Sequence, residues 1–543
     1  MGTEALPVSS APPAQTAPST PIRVEPALTR RASLTALASL LDYGVKAGVS
    51  LVVTPILVGG LGRTLYGVWE MLGRIVGYMA ATDGRPTEAL RLVISQQQDL
   101  DTTTKRRSVG AAFVVWMLMI PLVALVGGTL AWFAPHLTHS PVEHYTEVRI
   151  ACAFLVASFL FTGLAAIPES VLRGMNLGYK RMGLQASLSI IAGGLAAWAV
   201  KAGWGLPGVG VSQIVRAFII GICFWLLVRK YVPWFNVARP SKKDIKGLFS
   251  MSVWLSVGDL MSKLLLASDV LILGGVVSPA AVTTYVLTGY AARTGLGIFV
   301  FTAGSAMPGF GGVLGQGQID KAVQLRRELL TLTWLFVTVV GATTLAWNHS
   351  FLLLWVGAKN YAGPWVDLLI VLVVGQTAFI RTDSYIIDAA LRPKGRVVIG
   401  AVTVVATLAL GITLTHAFGI LGLSLGMLLG RAIQSVSYPV IARKCVKHPP
   451  RTLAGRIEGV RLAAMTAALF IGANIFSRHV HAPSWPVWLG GVIGSLVLFG
   501  TLALYVAPTP TTRRKIVRRM RTMVSGLRKR GKAAEPQTGE ASA

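Results

Sequence analysis

LLDYGVKAGVSLVVTPILVGGLG at residues 40–62 and SVGDLMSKLLLASDVLILGG at residues 256–275 decide how this chain is built. Each is apolar and long enough to cross a bilayer, whose hydrocarbon core of ~30 Å takes about 20 helical residues. Each also carries an Asp-x-x-x-Lys pair, Asp42/Lys46 and Asp259/Lys263, and each reaches a Gly-Gly before a turn. A Tyr-initiated apolar run holding an arginine follows both: YGVWEMLGRIVGY with Arg74, and YVLTGYAARTGLGIF with Arg293. The repetition reads as a duplicated half. A charge near the bilayer centre costs ~2.5–3.5 kcal/mol on insertion scales, so ionisable groups that recur in corresponding helices point to use.

The surrounding chain fits a lipid environment. Of 543 residues, 53% are hydrophobic and 13% charged, against about 25% charged in soluble domains. Fourteen apolar runs of spanning length are centred near residues 46, 74, 120, 160, 191, 218, 264, 295, 338, 378, 407, 430, 467 and 496. The formal net charge of +29 is unevenly placed. With the N-terminus inside, most Lys and Arg residues fall in inside connections. The outside ones hold only Arg63, Arg149, Lys201, Lys359 and Arg478. That asymmetry predicts both termini in the cytoplasm and makes the charge a topology signal, with no nucleic-acid partner implied.

The expected fold is an all-α polytopic membrane protein: two pseudo-repeated six-helix lobes plus two extra C-terminal helices. Residues 1–32 read as a disordered cytoplasmic tail, 33–240 as an N-lobe, 241–445 as a C-lobe, 446–508 as spans 13 and 14, and 509–543 as a basic cytoplasmic tail. Within that tail, RRKIVRRMRTMVSGLRKR (513–530) suits a surface helix on anionic phospholipids. Pro55 is expected to interrupt the first span, Pro168 to end the fourth, and GSAMPGFGGVLGQG (304–317) to close the eighth. The three cysteines are scattered, and His136, His139, Glu143 and His144 suit an exposed polar loop better than a zinc site, so no cofactor or metal is expected.

The i,i+4 spacing of Asp42/Lys46, Glu70/Arg74 and Asp259/Lys263 puts both members of each pair on one helix face. Lys46, Lys263 and Arg293 would face the lobe interface, where ammonium and guanidinium donors suit a phosphate. Asp42, Asp259 and Asp269 could neutralise an empty cavity or bind a coupling cation. Asp269 has no counterpart in the first copy. Neither a P-loop, a nucleophile elbow nor a large outer loop supports an enzyme.

Several stretches resemble one family: TPILVGGLGRTLYGVW (54–69), SVWLSVGDLMSKLLLASDVLILGGVVSPAAVTTY (252–285), MPGFGGVLGQGQIDKA (307–322) and WVGAKNYAG (355–363). They look like patterns of the Wzx-type (O-antigen) polysaccharide flippases in the multidrug/oligosaccharidyl-lipid/polysaccharide (MOP) superfamily. ATDGRPTEALR (81–91) departs from the pattern. The resemblance implies the two-lobed shape of MATE transporters and lipid II flippases, working by alternating access. It implies a cargo of undecaprenyl-pyrophosphate-linked glycan, flipped across the bacterial inner membrane, with Lys46, Arg74, Lys263 and Arg293 on the pyrophosphate. Polysaccharide biosynthesis proteins are then possible partners. A lipid II flippase is the alternative. A multidrug/cation antiporter fits a basic cavity less well, and a glycan polymerase or ligase would need a catalytic outer loop.

Overall fold

A computed structural model describes residues 26–79, 86–181, 183–304, 307–390, 393–446, 453–506 and 513. Among the described residues every regular element is helical. Two helices, Pro26–Tyr78 and Pro393–Cys445, each run 53 residues. Straight, each would be about 80 Å long, far more than one bilayer core. Both are broken by a glycine in a conformation that residues with a Cβ rarely adopt: Gly62 at φ 74° and Gly419 at φ 58°. Each is therefore a hairpin of two spans: the first and second flank Gly62, the eleventh and twelfth flank Gly419.

The third to sixth spans are Thr102–Leu137, Val142–Gly174, Leu184–Lys201 and Gly205–Tyr231. The seventh is the helix Lys242–Val276. The eighth is a bent pair, Pro279–Thr288 and Tyr290–Gly304, turning 55° at Gly289. Ile319–Trp355 and Pro364–Ala389 are the ninth and tenth, and Ile457–His479 and Trp485–Tyr505 the thirteenth and fourteenth. The fourteen apolar runs thus correspond to fourteen spans.

Three local expectations are corrected. Pro55 lies inside a continuous first span, and Pro168 lies inside a helix that runs on to Gly174. A proline in an apolar helix is accommodated when neighbouring groups re-satisfy the freed carbonyl. Helix also begins at Pro26, within the segment read as an unstructured tail. The connection after the second span holds a short helix, Pro86–Gln96, whose Ala89, Leu90 and Ile94 are fully buried under the N-lobe. The rest of both tails, including the basic stretch 514–530, lies outside the described residues.

Residues 232–241 join the halves as a strap over the third span. The Arg106 guanidinium donates to the Trp234 carbonyl at 2.8 Å, and the Ala238 N–H donates to the Arg106 carbonyl at 3.2 Å. Ser241 then starts the seventh span with a capping box: its hydroxyl accepts from Asp244 N–H, and the Asp244 carboxylate accepts from Ser241 N–H. The early part of this span (Ile245, Leu248, Met251, Leu255) packs with the N-lobe core, and its later part (Val270, Ile272, Leu273) with the C-lobe core.

In lipid, helices are held by close backbone approach and polar contacts rather than by apolar burial. The lobe interface has both. A Cβ at Gly67 would lie 1.8 Å from the Pro279 carbonyl oxygen, so only glycine lets the second and eighth spans touch there. Arg63 donates to Thr284 Oγ1 at 2.6 Å, and Thr283 Oγ1 donates to the Arg63 carbonyl at 2.6 Å. Tyr43 OH donates to the Thr294 carbonyl (2.9 Å) and Tyr290 OH to the Ala47 carbonyl (2.8 Å).

Candidate functional site

The bend at Gly289 shapes the C-lobe site. Arg293, one turn past it, folds back so closely that a Cβ at 289 would meet its guanidinium carbon at 3.1 Å. Arg293 Nη2 lies 3.2 Å from Asp269 Oδ2, and its guanidinium stacks over the Tyr285 ring at 4.5 Å. Tyr285 OH donates to the same carboxylate oxygen at 3.0 Å. Asp269, which had no counterpart in the first half, is the counter-ion of Arg293.

This triad borders a cavity of about 300 Å³ between the seventh, eighth, tenth and twelfth spans, also lined by Arg381 and Arg431. Arg431 is buried, donating to Thr377 Oγ1 at 2.9 Å and to the Leu265 carbonyl at 2.8 Å, while its Nε has no partner. Arg381 and Arg431 also line a second cavity of about 270 Å³, which reaches Arg396, Gln434 and Tyr438. Arg396 is paired with Asp388. In the larger cavity, three arginines face Asp269, the one carboxylate among its described lining residues. Such a chamber can hold an anion by fork-like charged hydrogen bonds.

The N-lobe has its own chamber, of about 210 Å³, between the first, second, fifth and sixth spans. Lys46 and Arg216 line it together with Trp69, Ser189 and Gln213. Lys263 is placed differently. Its Nζ pairs with Asp259 Oδ2 at 2.8 Å and reaches across the interface to donate to the Gly77 carbonyl at 2.6 Å. The next residue, Tyr78, is 2.9 Å from Ser268 Oγ and donates to the Lys263 carbonyl at 3.3 Å.

The four basic residues expected to share one cavity are therefore distributed. Arg293 lines the C-lobe cavity, Lys46 the N-lobe chamber, Lys263 spans the interface, and Arg74 lines none of these three spaces. Glu70 accepts from Tyr66 OH at 3.2 Å, and no ion pair joins it to Arg74 among the described residues. The first copy also differs from the second: Asp42 is buried with an unpartnered Oδ1, and no Asp42–Lys46 ion pair forms among the described residues. Between the third and fourth spans, His144 stands 3.5 Å from both Glu143 and Glu147, and the His136 ring meets Tyr145 edge-on.

Arg216, Arg381 and Arg431 carry roles that sequence reasoning left unassigned. A signal existed for two of them. Arg216 lies eleven residues after Gly205 and Arg431 twelve after Gly419, each followed by alanine, and both glycines have positive φ. Each lies in the sixth span of its half.

The chain matches the family described as "Polysaccharide biosynthesis protein" over residues 35–312, slightly more than half its length. No curated protein matches it. Solved structures of similar fold include an inward-facing multidrug resistance MATE family transporter of the MOP superfamily. That chain is 12% identical, with TM-score 0.57, over 77% of this chain and 98% of its own. The Vibrio cholerae MATE transporter VcmN in its bent form is 17% identical, with TM-score 0.52, over 78% and 97%. A MOP superfamily transporter from Pyrococcus furiosus, reported with a binding pocket of reverse polarity, is 13% identical, with TM-score 0.53, over 78% and 97%. A multi-pass membrane protein with the MOP transporter fold, this chain belongs to the polysaccharide biosynthesis protein family of flippases.

Proposed function

We propose that this protein flips an undecaprenyl-pyrophosphate-linked glycan from the inner to the outer leaflet of the bacterial cytoplasmic membrane, with both termini in the cytoplasm. The observation that carries the reading is the C-lobe cavity, where Arg293, Arg381 and Arg431 face Asp269 alone. An exporter of organic cations needs the opposite charge. The reverse-polarity pocket reported for the Pyrococcus furiosus transporter supports the idea that this fold accommodates either sign.

In this mechanism the pyrophosphate enters the cavity and competes with Asp269 for Arg293, while Arg431 stays fixed by Thr377 and the Leu265 carbonyl. The glycan follows the headgroup through the space between the lobes, and the lipid tail stays in the bilayer. An inside-negative potential favours outward movement of an anion by ~2.3 kcal/mol per charge per 100 mV crossed. Lys263 acts at the interface, where the clasp with Gly77 must open for the lobes to separate. Anionic phospholipids at the basic C-terminal tail and other polysaccharide biosynthesis proteins are the partners this reading expects.

The test uses the purified chain in proteoliposomes holding a labelled undecaprenyl-pyrophosphate oligosaccharide, with lipid II as the competing cargo. The expected result is translocation well above protein-free vesicles, lowered at least tenfold by Arg431→Ala or Arg381→Ala at unchanged protein insertion. Wild-type translocation equal to empty vesicles overturns the flippase reading. Preferred movement of lipid II reassigns the cargo.

A further inference from the structure

Each lobe builds a chamber lined by an arginine from its own sixth span, yet the chambers differ in the charged groups that line them. Arg431 faces a cavity that also holds Asp269. Arg216 faces one lined by Lys46 and, among the described lining residues, by no carboxylate. Its guanidinium has Gln213 Oε1 at 3.5 Å, a long contact, and its Nε is buried without a partner. An arginine within a span that leaves donors unsatisfied is costly, and the cost is recovered when an anion supplies the missing acceptors.

The other lining groups describe what that anion is attached to. Trp69 offers a flat aromatic face, Ser189 and Gln213 offer neutral hydrogen-bonding groups, and Ala192, Gly193 and Ala196 make a wall of small residues. An aromatic plane, small neutral polar groups and an arginine fork match a sugar ring bearing a carboxylate. A bare phosphate would use the cations and leave the rest idle.

We infer that the N-lobe chamber binds an acidic sugar unit of the glycan, with Arg216 and Lys46 on its carboxylate and Trp69 against its ring. The inference rests on the flippase reading and adds a second contact point, in the lobe opposite the pyrophosphate. Arg216 is then a specificity determinant: a cargo carrying a uronic acid is held by both lobes, a neutral cargo by one.

The experiment compares two cargos in the same proteoliposomes: an undecaprenyl-pyrophosphate oligosaccharide containing one glucuronate, and the same molecule after carboxyl reduction. Wild type is expected to move the acidic cargo with a KM about tenfold lower, as one charged hydrogen-bonding contact implies. Arg216→Gln is expected to erase that ratio, and Arg216→Lys to restore part of it. Free glucuronate, but not glucose, is expected to raise the Tm of the detergent-purified protein, an effect absent in Arg216→Gln. Equal KM values for the two cargos in wild type overturn the inference. So does an Arg216→Gln defect of the same size on both cargos, which would assign Arg216 to the common lipid pyrophosphate. Failure of wild type to move either cargo refutes the flippase reading instead, and the glucuronate Tm shift then decides alone whether the chamber binds an acidic sugar.

Discussion

Asp269 and Asp383 show how differently one kind of ion pair can serve. Arg326 and Asp383, 2.8 Å apart and almost wholly buried, form a closed structural tie between the ninth and tenth spans. Breaking one side leaves an uncompensated charge, so Asp383→Leu alone should destabilise by about 3–5 kcal/mol. The double replacement Arg326→Met with Asp383→Leu should recover most of that and leave flipping intact, checked by unfolding in micelles and by the proteoliposome assay. Asp269 instead holds Arg293 at the edge of a cavity, with Tyr285 on the same oxygen. Asp269→Ala should destabilise less than Asp383→Leu, because Arg293 keeps some exposure, and Asp269→Asn less still, because an amide oxygen still accepts from Tyr285. Both pairings were hidden in the sequence. Asp269 and Arg293 are 24 residues apart and meet only because the eighth span bends at Gly289. The Asp42/Lys46 and Asp259/Lys263 spacing was visible, yet spacing fixes only a shared helix face. The opposing groups decide the pairing, and they differ between the lobes.

At the scale of elements, spanning runs were legible because each needs a long apolar stretch, and nothing else in a sequence looks like one. The short helix Pro86–Gln96 was not: its buried residues Pro86, Ala89, Leu90 and Ile94 recur at helical spacing over only eleven residues, a pattern too brief to separate from a loop. The closeness of the second and eighth spans was equally unreadable, since Gly67 is one of 58 glycines. It yields a sharp contrast. Gly67→Ala forces a methyl into the Pro279 carbonyl, whereas a Cβ at Gly73, on the same span, meets nothing within 4 Å. The former should abolish export and lower folded yield several-fold; the latter should leave both within a factor of two. Export assays and size-exclusion profiles of the two variants check this.

For the whole molecule, the repeated halves were legible in the Asp-x-x-x-Lys echo, while the placing of Arg216 and Arg431, each in the sixth span of its half, was obscured by a one-residue offset after the preceding glycine. The lobes meet through a few directed contacts, and Lys263 makes two of them: its ammonium donates to the Gly77 carbonyl, and its own carbonyl accepts from Tyr78 OH. Lys263→Ala should therefore stop export of the lipid-linked glycan with the protein still inserted. Lys263→Arg, which keeps a donor toward Gly77, should be milder. Spin-label distances between the lobes near Gly77 and Lys263 should broaden in the alanine variant and stay narrow in the arginine one. Normal export by Lys263→Ala would remove this residue from the mechanism.

The seventh span carries a consequence of its own, because its two ends are embedded in different cores. In the proposed rocking of one half against the other this helix would flex as a leaf spring does, in residues 257–266 between the two cores, where Lys263 and the Leu265 carbonyl tie it to neighbouring spans. On the proposed alternating-access cycle, flexing of this helix in one orientation would help drive the return. Amide exchange in 257–266 should accelerate when cargo is supplied, while Ile245–Leu255 and Val270–Leu273 stay protected. A proline inserted at Leu260 should soften the spring and slow recovery after each transport cycle.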